Sequence, residues 1–209
     1  AALIVSSLLA GVSALPAAAQ AQHERLSVVA NGEKVGFVDA VRTGNRVAVR
    51  YDVKNNGRGP TMEEVIDLDA EGLPRAWALD GKGTFGGEVH ERFARTDATA
   101  RWTDSMGTRE APAEGAGLYI GQAASPWALG MYARALLKAP DGTLAAFPGG
   151  QLRIEKLGPA EIGRDTYQAY AISGIDLSPE LILLDGRGAL FAVLGTGGAT
   201  VREGQETVV

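Results

Sequence analysis

The stretch from Arg46 to Asp80, RVAVRYDVKNNGRGPTMEEVIDLDAEGLPRAWALD, decides the fold. Val47, Val49, Tyr51 and Val53 alternate with Arg46, Ala48, Arg50 and Asp52, a period of two that turns one set of side chains to a core and the other to water. Asn55-Asn56-Gly57-Arg58-Gly59-Pro60 then gathers residues that tolerate positive φ or stop a ladder, and Asp69-Ala70-Glu71-Gly72 does the same before Trp77 and Leu79 resume. The reading is three antiparallel strands joined by two turns.

The same pattern extends both ways. Upstream, Arg25 to Ala30 and Lys34 to Arg42 flank Asn31-Gly32, the dipeptide suited to a type I′ hairpin. Downstream, Gly81-Lys82-Gly83-Thr84-Phe85-Gly86-Gly87 leads to strands at Glu88–Ala94 and Ala98–Trp102. From Thr103 to Ala124 the pattern fails, and this stretch reads as a loop that is either a lid or disordered. Ser125 then stands as an N-cap with Pro126 at the first helical position, and Leu129, Tyr132, Ala133, Leu136 and Leu137 form one helical stripe, with Arg134 and Lys138 off it. Pro140-Asp141-Gly142 ends the helix, and strands resume at Thr143–Phe147, Gln151–Leu157, Thr166–Ile172, Leu181–Leu184 and Ala189–Val193. The expected fold is mainly β (β-rich α+β), a curved antiparallel meander sheet with one packed helix at 126–138.

Residues 1–21 are an apolar run broken at Pro16 and ending in Ala19-Gln20-Ala21, the remnant of a secretory signal, which predicts an exported, periplasmic or extracellular protein. Residues 22–194 are the antiparallel β domain. Residues 195–209 read as a linker or the start of a downstream domain. The chain of 209 residues, 45% hydrophobic, is long enough for one real core. A net charge of -5 with scattered basic residues argues against nucleic acid and against a membrane surface once the signal is cleaved. The absence of cysteine removes thiol nucleophiles, thiolate metal sites and disulfides.

Candidate chemistry is sparse. Gly81 to Gly86 matches G-x-G-x-x-G, but a strand follows it and no β-α-β unit surrounds it, so a glycine-rich hairpin loop is the better account. The two histidines, His23 and His90, fall outside metal-ligand spacings, and no catalytic or metal residue is assigned. Glu88, His90 and Arg92 share one side of a strand opposite Val89 and Phe93, which suits a solvated face better than an acid-base pair. Arg58, on its glycine-flanked loop, either grips a carboxylate or a neighbouring domain or is a solvated turn residue. Trp77, Trp102 and Trp127 with Tyr119 and Tyr132 either line an apolar groove beneath the helix or are core aromatics.

The exported start, the NGRGP loop, the Leu68-Asp69 and Leu184-Asp185 hairpins, the SPWALGMYARALL helix followed by FPGG, and the terminal VREGQE together resemble the N-terminal β-rich extension of exported, imidazolonepropionase-like amidohydrolases. The resemblance implies that this chain is a fragment, a non-catalytic accessory domain of a metal-dependent hydrolase acting on C–N bonds other than ordinary peptide bonds, or on dipeptides. In that family the metal-binding histidines and the catalytic carboxylate lie in a downstream (β/α)₈ barrel. Zinc or another divalent metal is therefore expected only there, that domain is the expected partner, and no catalytic residue carries over. A second reading is a free-standing periplasmic carrier whose curved sheet and helix enclose an apolar ligand.

Overall fold

The computed structural model describes residues 21–208; the stretch 1–21 read as a signal remnant, apart from Ala21, lies outside them. Among the described residues the chain forms β1 (Gln22–Ala30), β2 (Glu33–Thr43), β3 (Arg46–Val53), β4 (Thr61–Leu68), β5 (Pro74–Lys82), β6 (Glu88–Arg95), β7 (Thr99–Asp104), β8 (Gly107–Pro112), β9 (Gly117–Tyr119), helix α1 (Trp127–Leu136), β10 (Thr143–Phe147), β11 (Gln151–Ile162), β12 (Asp165–Ser173), β13 (Glu180–Leu184), β14 (Leu190–Gly195), β15 (Gly198–Arg202) and a terminal 3₁₀ turn, Glu206–Val208. Those residues are mostly β, with one α-helix and a single large sheet that is not closed.

The sheet is two meanders joined where β1 pairs with β15, so its order runs from β8 back to β1, across to β15, and back down to β9. All of its strand pairs are antiparallel except β9 with β10. That parallel pair needs a crossover, and α1 supplies it. Arg46–Asp80 forms β3, β4 and nearly all of β5, the three antiparallel strands expected, with Val49 opposite Glu64 and Ile66 opposite Trp77. The Asn31-Gly32 turn has φ of 51° and 80°, positive at both positions as a type I′ hairpin requires.

Three expectations change. Thr103–Ala124 is largely ordered as the end of β7, the short hairpin strand β8, and β9. The alternating signal fails there because these strands are short and β8 is exposed at the sheet edge, so little of it faces a core. Residues 195–209, read as a linker or a new domain, contribute β15, which sits between β1 and β14 in the sheet; the glycines at 195, 197 and 198 are its hairpin turn. The helix is buried nearly all round, with only Arg134 half-exposed within Trp127–Leu136. A one-sided stripe was expected, but the sheet curls around the helix, which packs on β11, β13 and β14 and shares one core with Val38, Val47, Ile66 and Leu79.

A second, smaller core occupies the opposite face, built on Val29, Tyr167, Leu183, Phe191, Ala192 and Val201. Tyr167 stacks on Phe191 at 3.8 Å between ring centroids, and the Arg202 guanidinium lies 5.6 Å from the Phe191 ring. The far half of the long β11–β12 hairpin, beyond the bulge between Lys156 and Gly158, adds Ala160 and Ile162 to this face. The chain after β15 turns back over it: Glu206 accepts the Ser27 hydroxyl and lies 3.6 Å from Lys34. The Ser27 hydroxyl and the Gly204 amide hold the Glu206 carboxyl down at about 2.

Candidate functional site

The inward face of β4 reads Met62, Glu64, Ile66, Leu68, so the apolar alternation carries a carboxylate into the core at Glu64. The inward face of β6 does the same with Glu91, between Val89 and Phe93. Both are buried, and both are satisfied. Glu64 accepts from the Ser125 amide at 2.7 Å and the Trp77 indole at 3.1 Å. Glu91 accepts from the Gln122 amide at 2.9 Å, the Ala123 amide at 3.0 Å and the Tyr119 hydroxyl at 3.1 Å. Two strands thus use buried carboxylates to hold the chain from β9 into α1, where backbone amides would otherwise be buried without acceptors. Burial pushes both carboxyl groups above the ordinary glutamate range, partly offset by these hydrogen bonds, and Glu91 adds to the rise at Glu64. Burial and the neighbouring Glu91 likewise raise the Tyr119 phenol.

The expected aromatic residues divide. Trp77, Trp102 and Trp127 are buried core residues. Trp77 packs edge-on to Tyr119 at 6.0 Å, Trp102 lies under the Arg109 guanidinium at 5.6 Å, and Trp127 donates to Glu24 at 3.0 Å. Tyr132 donates to the Tyr119 carbonyl at 2.8 Å while its ring borders a recess of about 250 Å³ with Tyr51, Leu129, Ile175 and Val193. The apolar groove anticipated beneath the helix is therefore reduced to this small recess, which Tyr132 alone of the five lines.

Arg58 is exposed at the β3–β4 turn, where its backbone and that of Asn55 exchange hydrogen bonds of 3.0 and 2.7 Å. Glu88, His90 and Arg92 lie on the outer face of β6, with His90 3.0 Å and Arg92 2.8 Å from Asp80. The Asp80 hydrogen bond raises the His90 imidazole, and His90 and Arg92 lower the Asp80 carboxyl. Among the described residues no group of three or more histidines, aspartates and glutamates is placed to hold a metal ion.

The roomier cavity lies on the second face. A depression of about 630 Å³ opens over the smaller core, walled by Val29, Ala160, Ile162, Ala169, Leu183 and Leu194, with Val208 and the Gly195–Gly198 turn at its rim. Sequence reasoning did not find it. The signal was present in Leu181–Leu184 and Leu190–Leu194, unbroken apolar runs of the kind seen where both faces of a sheet are covered. Glu64 and Glu91 also carried a signal, a charged residue at an inward position of an otherwise alternating strand.

No family model matches the chain, and no curated protein matches it. Among solved structures it is similar to the crystal structure of a DUF1089-family protein from Pseudomonas aeruginosa, with 16% identity, 90% of this chain and 96% of that chain covered, and a TM-score of 0.39.

Proposed function

We propose that this chain is a binding module that takes an apolar ligand in the depression over the second core. The observation carrying this reading is that the face built on Leu183, Phe191 and Val201 is an apolar core covered on only part of its extent. At about 630 Å³ the depression is in the size range of small-molecule sites. Leu183 and Leu194 offer it side-chain contact, while glycines at 195, 197 and 198 leave the rim without side chains. This is the carrier reading with the ligand moved from beneath the helix to the opposite face of the sheet.

The test is titration with a neutral apolar fluorophore such as N-phenyl-1-naphthylamine. Saturable one-to-one binding is expected, and Ala169→Trp, which fills the depression, should abolish it. Absence of saturable binding, or binding indifferent to that substitution, would overturn the proposal.

The second reading, an accessory domain of an exported metal-dependent amidohydrolase, is supported by the resemblance of the NGRGP, SPWALGMYARALL and FPGG strings. Under it the same apolar face, with Val208 at its rim, docks a catalytic domain of the same polypeptide that holds the metal. A reading frame continuing past Val209 into an H-x-H strand, with stoichiometric zinc in the complete protein alone, would favour this reading over the carrier.

A further inference from the structure

The two glycine-rich strings that stand out in the sequence, Asn56-Gly57-Arg58-Gly59-Pro60 and Lys82-Gly83-Thr84-Phe85-Gly86, are 26 residues apart at matching positions but meet at one end of the sheet. They begin at the ends of β3 and β5, the two strands that flank β4, and together line a depression of about 510 Å³. At the base of each loop the backbone packs closely against a neighbouring strand end. A Cβ at Gly59 would lie 2.2 Å from the Val53 carbonyl, and one at Gly81 would lie 2.0 Å from the Thr61 carbonyl, so neither position admits a side chain without the loops moving.

Three cations line or border this depression, and they are not equivalent. Lys54 is engaged, 3.3 Å from Asp52 and 3.0 Å from the Thr61 hydroxyl. Arg58 and Lys82 are exposed and, among the described residues, have no carboxylate within ion-pair distance. Glu88, opposite Lys82 across the β5–β6 ladder, lies 3.4 Å from His90 instead. Beside these cations Phe85 is 89% exposed, an aromatic ring presented to solvent at the edge of a charged recess.

We propose that the two loops form a binding site for a phosphate-bearing small molecule with an aromatic or apolar part. Two unpartnered cations match the charge of a phosphomonoester dianion better than that of a single carboxylate. The Phe85 ring offers a stacking surface for the remainder of the ligand. This site shares none of its lining residues with the apolar depression of the proposed carrier function, so either assignment stands or falls without the other.

Isothermal titration calorimetry at low salt, with inorganic phosphate and phenyl phosphate as probes, tests it. Both should bind, phenyl phosphate more tightly. Replacing Arg58 and Lys82 by alanine together should weaken both by about tenfold or more, as expected when charge-assisted contacts are lost. Phe85→Ala should remove the advantage of phenyl phosphate and leave inorganic phosphate unchanged. These are exposed positions, so circular dichroism of the variants should match the parent. No binding of either probe in the millimolar range, unchanged affinity in the double variant, or benzoate binding as tightly as phenyl phosphate would overturn the assignment.

Discussion

The two halves of the sheet treat their outer faces differently. From β2 to β6 the strands alternate, apolar toward the helix and polar toward water, as at the start of β3, where Arg46 and Ala48 are exposed and Val47 and Val49 buried. From β12 through β15 to β1 both faces carry apolar side chains, and Leu190 to Val193 are buried without interruption. The first half needs one core. The second half needs a cover on each side: α1 and its surroundings cover one face, and the other is covered only in part, by the end of the β11–β12 hairpin and the 3₁₀ turn. A sheet half that is apolar on both faces but fully covered on one is where a binding surface is to be sought.

The difference can be broken or sharpened by substitution. Leu136, fully buried on the helix, faces the closed core, and Leu136→Ala should cost about 4 kcal/mol, with Leu136→Asp costing more because an unpaired charge is added to the cavity. Leu183→Ala, on the open face, should cost about 2 kcal/mol, because a site bordering a depression loses contacts without sealing a void. Urea unfolding measures both. Equal costs would mean that the second face is as closed as the first and the comparison fails.

A smaller effect separates the buried carboxylates of the closed core from the rest. Burial keeps the Glu64 and Glu91 carboxyls above the ordinary value of 4.5, so the folded chain retains protons that the unfolded chain has released. Their contribution to stability therefore falls as pH rises from the unfolded value through the raised folded values. A Glu64→Gln, Glu91→Gln double variant should show a shallower decline over that window than the parent, since it has no proton to lose there. Parallel stability-pH curves would remove the proposed burial effect. The smallest effect is at the loop end: Arg58→Ala should change stability by no more than about 0.5 kcal/mol, as for exposed side chains without a partner. A larger loss in thermal unfolding would make Arg58 part of the scaffold.

Much of the fold was legible because local signals agreed. Val47 to Val53 alternated, Asn31-Gly32 demanded positive φ twice, and Pro126 to Gly142 bracketed one helix. What could not be read was non-local. The pairing of β1 with β15 joins Leu26 to Arg202 across nearly the whole chain, and no local pattern in 195–209 announces a strand at the centre of the sheet. The helix stripe from Leu129 to Leu137 predicted one buried face, whereas the curl of the sheet buries Met131 and Ala135 as well and leaves Leu137 exposed. For the candidate sites, Arg58 was visible as an unusual loop residue, but its meeting with Phe85 depends on the β3–β4–β5 register. The aromatic residues were visible, but whether they lined a groove or filled a core depended on how tightly the sheet closed around α1.

The central claim is that the open apolar face, and not the recess beneath the helix, receives the ligand. Methyl NMR of leucine-, isoleucine- and valine-labelled protein titrated with N-phenyl-1-naphthylamine tests it directly. The account predicts saturable shifts at Leu183, Leu194, Ile162 and Val29, with Leu129 and Ile175 beside Tyr132 unmoved. Shifts centred on Leu129 and Ile175, or no saturable shift at any methyl, would contradict it.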